Sequence, residues 1–242
     1  MGPLLDLSIR QMAGRKRLAI ILILAAIPVG LAILLSQLAG DDPGFADGFP
    51  QTVVDGLFIG VILPIVVMTL ATGAFGNELE DRTLNVLVLK PIPRYAIVLP
   101  KFLASVIVAG IVLAVAAGLI VLIALTDGGF RAVLAAVVAV AVGVITYAAL
   151  FTWAGIMTNK ALGFALVYVF LWEQFLTRVI RGARYFSIRE YTLAILNGID
   201  EDTFEVFSSR VLGMPAALVA AAVVTVLFFG LTVRRLQRMD VP

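Results

Sequence analysis

Cysteine and histidine are absent from this chain, and charged residues are scarce. Without cysteine there is no disulfide, no thiolate nucleophile and no iron–sulfur cluster, and without histidine there is no imidazole base. Zinc sites of the usual histidine and cysteine type are excluded for the same reason, and no metal site is predicted. Only 14% of the 242 residues are charged, against about 25% in a soluble domain. An ordinary water-soluble fold is therefore excluded.

The chain consists mainly of long apolar runs. Hydrophobic residues make up 62% of the chain, and the mean hydropathy is +1.08. A helix needs about 20 apolar residues to cross a bilayer core. The sequence therefore predicts an all-α membrane protein, a single transmembrane domain over residues 1–242, with six spans. We place them at about residues 18–38, 53–75, 102–125, 132–157, 161–180 and 211–233.

The distribution of basic residues predicts that both termini lie in the cytoplasm. Lysine and arginine are enriched in the cytoplasmic segments of membrane proteins. With the N-terminus inside, twelve of the eighteen basic residues lie on the cytoplasmic side. They are Arg10, Arg15, Lys16, Arg17, Arg82, Lys90, Arg94, Lys101, Lys160, Arg234, Arg235 and Arg238. The sequence has no polybasic tract, so nucleic acid is not a predicted partner.

Two segments outside the spans are predicted to be helical. In residues 1–17, Leu5, Ile9 and Met12 share one helical face, which is typical of a helix lying on the cytoplasmic membrane surface. The alternative is a disordered basic tail that only sets the topology. In residues 181–210, Ser187-x-x-Glu190 forms a capping box, Asn197-Gly198 is a helix stop, and Asp202-x-x-Glu205 begins a second capped turn.

The apolar content of residues 181–210 is high for a free loop. It predicts two short helices that lie on, or dip into, the outer face of the membrane. The apolar residues are Phe186, Ile188, Tyr191, Leu193, Ile195, Phe204 and Phe207.

A charged stretch interrupts the apolar sequence after the second span. It reads GNELEDRTLNVLVLKPIPR and covers residues 76–94. Asn77 is a good N-cap residue, and Glu80 follows at the third helical position, where its side chain can return to the cap amide. Pro91 and Pro93 prevent the helix from continuing. A helix over residues 78–89 is therefore predicted.

This predicted helix has two apolar faces. Leu79, Thr83, Val86 and Leu87 fall on one face, and Leu84 with Val88 on another. One face is enough to rest on a membrane, whereas a second face is typical of a helix that also sits in a groove of a partner protein. On the residues alone, a capped hairpin helix with solvated carboxylates remains equally open.

The same stretch resembles a motif of type-2 ATP-binding-cassette (ABC) transporter permeases. The resemblance lies in Glu78-Leu79-Glu80-Asp81-Arg82-Thr83-Leu84, Leu87, Lys90-Pro91-Ile92-Pro93-Arg94 and Lys101. Six spans, inside termini, an N-terminal interfacial helix and a helical outer segment also match that family. Arg82 departs from the family pattern, which has glycine there.

The resemblance implies that residues 78–89 are a coupling helix, which sits in a cleft of a separate ATPase subunit and passes its movements to the spans. The implied coupling residues are Glu78, Leu79, Glu80, Asp81, Arg82, Thr83, Val86, Leu87, Pro91 and Arg94. The chain contains no Gly-x4-Gly-Lys-Ser/Thr stretch, so it has no P-loop of its own. ATP and Mg²⁺ are expected in two copies of the ATPase subunit, with no cofactor in this chain. A second permease subunit is also implied, and a homodimer is favoured over a heterodimer.

Few ionisable residues lie within the spans, and each is a candidate for function because charge in a bilayer is costly. Asp55 near the outer end of the second span and Glu173 near the outer end of the fifth are the candidate substrate-pathway residues. For Glu173 a structural pair with Arg178 is the favoured alternative. Gly56-x-x-x-Gly60 is a weak pointer to helix packing or to a dimer surface, and Pro64 is a potential kink.

The predicted function is that of a non-enzymatic permease subunit of an ABC transporter in the plasma membrane, with export as the direction implied by the resemblance. The alternatives are a secondary carrier or a non-catalytic membrane scaffold. A lipid-modifying enzyme is disfavoured because no residues are spaced as its acid, base or metal groups require. The aliphatic spans suit a hydrophobic substrate, and equally a subunit that only transmits force.

Overall fold

The computed structural model describes residues 2–39, 48–80, 93–125, 128–158, 160–208 and 212–238. Within these ranges the chain is helical and has no strand, as backbone hydrogen bonding in hydrocarbon requires. The α-helices are α1 (Gly2–Met12), α2 (Arg15–Ala39), α3 (Leu63–Ala71), α4 (Gly73–Glu80), α5 (Tyr95–Ala124), α6 (Gly129–Met157), α7 (Ala161–Val167), α8 (Thr177–Val179), α9 (Ile188–Ile199) and α10 (Met214–Gln237). Two π-helices, π1 (Pro50–Ile62) and π2 (Tyr168–Leu176), and two 3-10 turns (Arg181–Phe186 and Glu205–Phe207) complete the described elements.

Five helical segments of the described ranges are long and apolar enough to cross a membrane. They are Arg15–Leu38, Gln51–Gly76, Tyr95–Ala124, Gly129–Met157 and Met214–Gln237. Their outward faces are apolar, as in Ile23 and Val226, which are 65% and 72% exposed. The remaining predicted span, residues 161–180, contains a shorter apolar helix, Ala161–Leu176, which we call the fifth apolar helix because it is the fifth in chain order. The chain is a multi-pass membrane protein, and its sixth span stays a prediction.

The third span begins at Tyr95, seven residues before the predicted start at residue 102. Lys101, which the sequence places just before this span, lies inside the helix and is only 7% exposed. The last span begins at Met214 and runs to Gln237. Its final turn includes Arg234 and Arg235, because basic side chains are favoured near a helix C-terminus.

The second span is continuous with the start of the charged stretch. π1 passes directly into α3, and α4 follows after the single residue Thr72. The change from π-helix to α-helix lies beside Pro64, where the missing amide donor alters the hydrogen-bond ladder. Asn77 lies within α4, so its predicted N-cap position is wrong: the helix of the second span runs on through it.

Helix α1 confirms the predicted helical N-terminal segment. It packs against α5, with Ser8 and Met12 buried. On its exposed side, the Arg10 Nε lies 3.0 Å from the Asp6 Oδ2, a pairing of residues four apart on a helix. The placement of this helix on the membrane surface stays a prediction.

The described part of the segment 181–210, up to residue 208, contains one α-helix, α9. Its start is as predicted, because the Ser187 Oγ accepts a hydrogen bond of 3.2 Å from the Glu190 amide. Its last residue is Ile199, so the predicted stop at Asn197-Gly198 comes one residue early. Where the second capped turn was predicted, the structure has a short 3-10 turn, Glu205–Phe207, whose N-cap residue Phe204 makes no side-chain cap bond. Just before it, the Thr203 amide donates to the Asp200 Oδ1 at 3.5 Å.

Helix α9 is buried within the bundle. Residues 188–196 are all buried, and the helix packs against α6 and α10. The approach to α6 is close: a Cβ on Gly143 would lie 2.7 Å from the Thr192 Oγ1. Helix α9 is therefore packed inside the bundle, and its position relative to the outer face of the membrane stays a prediction.

Candidate functional site

The predicted coupling stretch begins inside the described residues and then leaves them. Of its residues, Glu78, Leu79 and Glu80 lie in the last turn of α4, and Arg94 directly precedes α5. The other six lie outside the described residues. They are Asp81, Arg82, Thr83, Val86, Leu87 and Pro91. The helix predicted over 78–89 and the effect of Arg82 therefore stay predictions.

Lys101 fastens the third span to the end of the second. Its ammonium donates a hydrogen bond of 2.6 Å to the Ala74 carbonyl and lies 4.7 Å from the centre of the Phe75 ring. A cation over an aromatic face is favourable, more so when water is excluded. The sequence placed Lys101 in the family motif but gave it no contact. The structure positions it where the second span leaves the bundle towards the coupling stretch.

Two further helices close around the same point. A Cβ on Gly73 would lie 3.4 Å from the Arg17 guanidinium of α2. A Cβ on Gly155 of α6 would lie 2.6 Å from the Thr72 carbonyl oxygen, so only glycine allows the two backbones to approach this closely. The exit of the second span is thus enclosed by α2, α5 and α6.

The Lys101 contact leads to a stability prediction. Lys101→Met should lower the free energy of unfolding by about 1.5–3 kcal/mol, because it removes a buried charge-assisted hydrogen bond. Denaturant unfolding of the purified chain in detergent measures this. Lys160→Met, at an exposed lysine, is the control and should change little. Equal stability of the two variants would contradict the role given to Lys101.

A second cluster of polar groups lies between the second span, the fifth apolar helix and α9. We call Asp55, Glu173, Gln174, Ser187 and Arg189 the buried polar cluster. The Arg189 Nε lies 2.6 Å from the Asp55 Oδ1, and both side chains are below 10% exposed. The Arg189 Nη1 also donates to the Gln174 Oε1 at 3.3 Å. The charge of Asp55 is therefore balanced inside the protein.

Gln174 connects the fifth apolar helix to the second span through the backbone. Its Nε2 donates a hydrogen bond of 2.6 Å to the Gly60 carbonyl. Pro64 has no amide to donate to this carbonyl, although an α-helix would need that residue, four positions later, as the donor. Gly60 is buried in the interior of the chain, and Gly56 is partly buried.

Glu173 is fully buried and holds the start of α9. Its Oε1 accepts from the Ile188 amide at 3.0 Å and from the Tyr168 hydroxyl at 2.9 Å. Its Oε2 accepts from the hydroxyl of Ser187, the N-cap residue of α9. A carboxylate is favoured at a helix N-terminus, where amides are unpaired and the dipole is positive. A pair with Arg178 would involve a side chain outside the described residues.

The cluster contains two residues that sequence reasoning did not select, Arg189 and Gln174, and a third, Ser187, that it selected only as a helix cap. All three come from segments distant from Asp55 in the chain. For Arg189 a signal existed, since it lies in a segment too apolar for a free loop and so has a nearby acid as its natural partner. For Gln174 the only signal was Pro64, which leaves a carbonyl in the second span without its donor.

Tyr168 faces the interior of the bundle. Its ring lies edge-on to Phe151 with centroids 6.2 Å apart, and its hydroxyl donates to Glu173. Aromatic pairs of this geometry are favourable beyond the area they bury. Tyr168 thus anchors the fifth apolar helix to α6.

Comparison with protein families gives one result for this chain. A family model described as ABC-2 family transporter protein matches residues 14–188, which are 175 of the 242 residues. The chain belongs to the ABC-2 transporter family. No curated protein gives a significant match. ABC-2 proteins are membrane components of ABC transporters and typically work with an ATPase subunit.

The matched residues 14–188 include most of the side chains described above. The match covers the exit of the second span and the polar side chains Asp55, Glu173, Gln174 and Ser187. It ends one residue before Arg189, the partner of Asp55. The ion pair of this ABC-2 protein therefore joins the matched region to a residue beyond it.

Proposed function

We propose that this ABC-2 protein is the permease subunit of an ABC exporter in the plasma membrane. In this proposal six spans place both termini in the cytoplasm. Two copies of a separate ATPase subunit bind ATP and Mg²⁺, and this chain binds neither. Two ATPase subunits require two permease subunits, which we take to be a homodimer.

The observation that carries the proposal is the continuity of the second span with the coupling stretch, inside a chain that belongs to the ABC-2 family. The described helix passes from π1 through α3 to Glu80, interrupted only at Thr72. A force applied to residues 78–89 would therefore act directly on a membrane span. Lys101, Arg17 and Gly155 surround the point where that force would enter.

The substrate-pathway role of Asp55 and Glu173 stays a prediction. Both carboxylates are already bound by groups of the chain: Asp55 by Arg189, and Glu173 by the N-terminus of α9. A carrier that uses a carboxylate to bind a proton or ion needs that group accessible at some stage of its cycle. Their internal partners therefore favour a positioning role, and with it the ABC permease over the secondary carrier.

Co-purification with charge reversal tests the proposal. The unmodified chain, expressed in its native host and extracted in mild detergent, should retain an ABC ATPase. Glu78→Lys/Glu80→Lys should reduce the retained ATPase at least tenfold, which corresponds to about 1.4 kcal/mol of binding free energy. ATP turnover of the isolated complex is the second measurement, and it should fall in proportion.

A matched control is available in the segment after α9. Glu201→Lys/Asp202→Lys reverses two adjacent exposed carboxylates and should leave both measurements within twofold of the unmodified chain. If the unmodified chain retains no ATPase, the proposed function is wrong. If both double variants retain it equally, coupling through residues 78–89 is wrong.

A further inference from the structure

The two π-helices of the described residues lie against each other. π1 forms the first half of the second span and π2 the second half of the fifth apolar helix, and they are in contact. A π-helix bonds residue i to i+5, is rare, and occurs mostly as single turns at functional sites. Here one stretch has 13 residues and the other nine. Four of the groups described above lie on them: Asp55, the Gly60 carbonyl, Glu173 and Gln174.

The bonds of the cluster depend on the π register. Tyr168 donates to Glu173, five residues later, and these two side chains share a face only in a π-helix. In an α-helix, residues five apart point about 140° away from each other. Similarly, Asp55 and Gly60 are five residues apart, and both face the fifth apolar helix and α9 through Arg189 and Gln174.

Gly60 leaves no room for a side chain in its π turn. A Cβ on Gly60 would lie 2.8 Å from the Asp55 carbonyl oxygen and 2.8 Å from the Gln174 Nε2. The first of these contacts is with the residue five positions earlier, so it belongs to the π turn itself. Gly56, one turn earlier, has more room: its Cβ would lie 3.4 Å from the Gln51 carbonyl oxygen.

Opposing features thus balance the two registers in the second span. Pro64 disfavours an α-helical ladder at Gly60, and the Asp55–Arg189 and Gln174–Gly60 bonds stabilise the π register. Against them stands the intrinsic preference of the backbone for the α-helix, which makes long π-helices rare. A conformational switch needs an element that can adopt two such arrangements.

We propose that π1 is a register switch, π-helical in the state described and α-helical in another state of the ATP cycle. The inference rests on the proposed function, because the opposite end of this span leads into the coupling stretch. Each π turn that becomes an α turn releases about one residue and rotates the preceding part of the span by roughly 100°. That rotation withdraws Asp55 from Arg189 and releases α9 from the second span.

The absence of cysteine allows the switch to be followed with spin labels on introduced cysteines. One pair, Gln51→Cys with Glu201→Cys, reports on π1 relative to the end of α9; both positions are exposed. A second pair, Phe130→Cys with Glu201→Cys, does not involve the second span. Distances are measured by pulsed electron paramagnetic resonance on the complex with its co-purified ATPase, with and without Mg-ATP.

Gly60→Ala should shift the 51–201 distance and leave the 130–201 distance unchanged, because the added methyl group has no room in the π turn. Gly56→Ala should shift neither. In the labelled chain without a glycine substitution, Mg-ATP should change the 51–201 distance in the same direction as Gly60→Ala does. If Gly60→Ala does not fold, Gln174→Met is the alternative. It removes the hydrogen bond from Gln174 to the Gly60 carbonyl without adding a methyl group at position 60, and the same change in the 51–201 distance is expected.

A third label pair separates failure of this inference from failure of the proposed function. Gly76→Cys, where a side chain would meet nothing within 4 Å, is paired with Gln237→Cys, which is exposed at the end of α10. If Mg-ATP shifts 76–237 but not 51–201, the switch is overturned and the coupling proposal stands. If Mg-ATP shifts neither pair, coupling itself is overturned. An unchanged 51–201 distance in folded Gly60→Ala and Gln174→Met would also overturn the switch.

Discussion

Asp55→Leu is expected to lower the free energy of unfolding by about 3–5 kcal/mol, because it leaves the charge of Arg189 buried without its partner. Leucine has nearly the shape of aspartate, so the loss reports on charge and hydrogen bonding more than on packing. Both side chains of the pair are below 10% exposed, so water cannot replace the missing carboxylate. Denaturant unfolding in detergent micelles, followed by circular dichroism, measures the change.

The double variant Asp55→Leu/Arg189→Met distinguishes the pair from its two members. Replacing both charges of a buried pair by apolar groups is often neutral or stabilising, so most of the single-variant loss should be recovered. Asp6→Asn is the control for an exposed pair, and its loss should be within about 0.5 kcal/mol. If the double variant is as unstable as Asp55→Leu, the ion pair is not the reason for the loss.

Recovery of stability in the double variant would also indicate the role of the ion pair. If apolar residues can replace both charges without lowering the free energy of unfolding, stability is not the reason for the pair. It fixes which groups face each other, and here it fixes π1 against α9. A stable but functionally uncoupled double variant is therefore the pattern that a positioning role produces.

The features that the sequence predicted well are those that depend on neighbouring residues. Long apolar runs are enough to predict five of the membrane spans, because bilayer thickness sets the length of helix required. The start of α9 at Ser187 followed from a local capping pattern. The helix at the N-terminus followed from its apolar periodicity, and α1 confirms it.

The features that the sequence did not predict depend on residues far apart in the chain. Asp55 and Arg189 are separated by 134 positions, and Gly60 and Gln174 by 114. Arg189 was counted as an outer-loop cation because nothing in its neighbourhood identifies the acid opposite it. The N-cap assigned to Asn77 was wrong for a related reason: the preceding span supplies the hydrogen bonds that an isolated helix would need from a cap.

The fifth apolar helix shows how the same residues support two interpretations. In the sequence, Glu173 and Gln174 interrupt the apolar run of residues 161–180. In the structure Glu173 is buried and Gln174 partly so, and both contact α9 or the second span, while apolar residues such as Phe170 and Phe175 are exposed. Polar residues on the inner face of a helix lower its apparent hydrophobicity without exposing polarity to lipid.

Glu173→Met is the substitution that tests this inner face most directly. It should lower the free energy of unfolding by at least about 3 kcal/mol, since it leaves three buried donors without an acceptor at about 1 kcal/mol or more each. The donors are the Tyr168 hydroxyl, the Ser187 hydroxyl and the Ile188 amide. Methionine has almost the length of glutamate, so no large cavity adds to the loss.

Glu173→Gln is the matched control. Its amide oxygen can still accept from Tyr168 and Ile188, and its amide nitrogen can donate to the Ser187 hydroxyl. The remaining loss should be about 1 kcal/mol, from the charge that stands at the N-terminus of α9.

Hydrogen exchange of peptides covering α9 locates the effect of these two substitutions. In Glu173→Met the amides at the start of α9 should lose protection, whereas in Glu173→Gln they should keep it, because α9 stays attached to the fifth apolar helix. Retained protection together with unchanged stability in Glu173→Met would mean that α9 is held by its packing against α6 and α10 alone. The carboxylate would then be available for the substrate-pathway role that its position in the sequence first indicated.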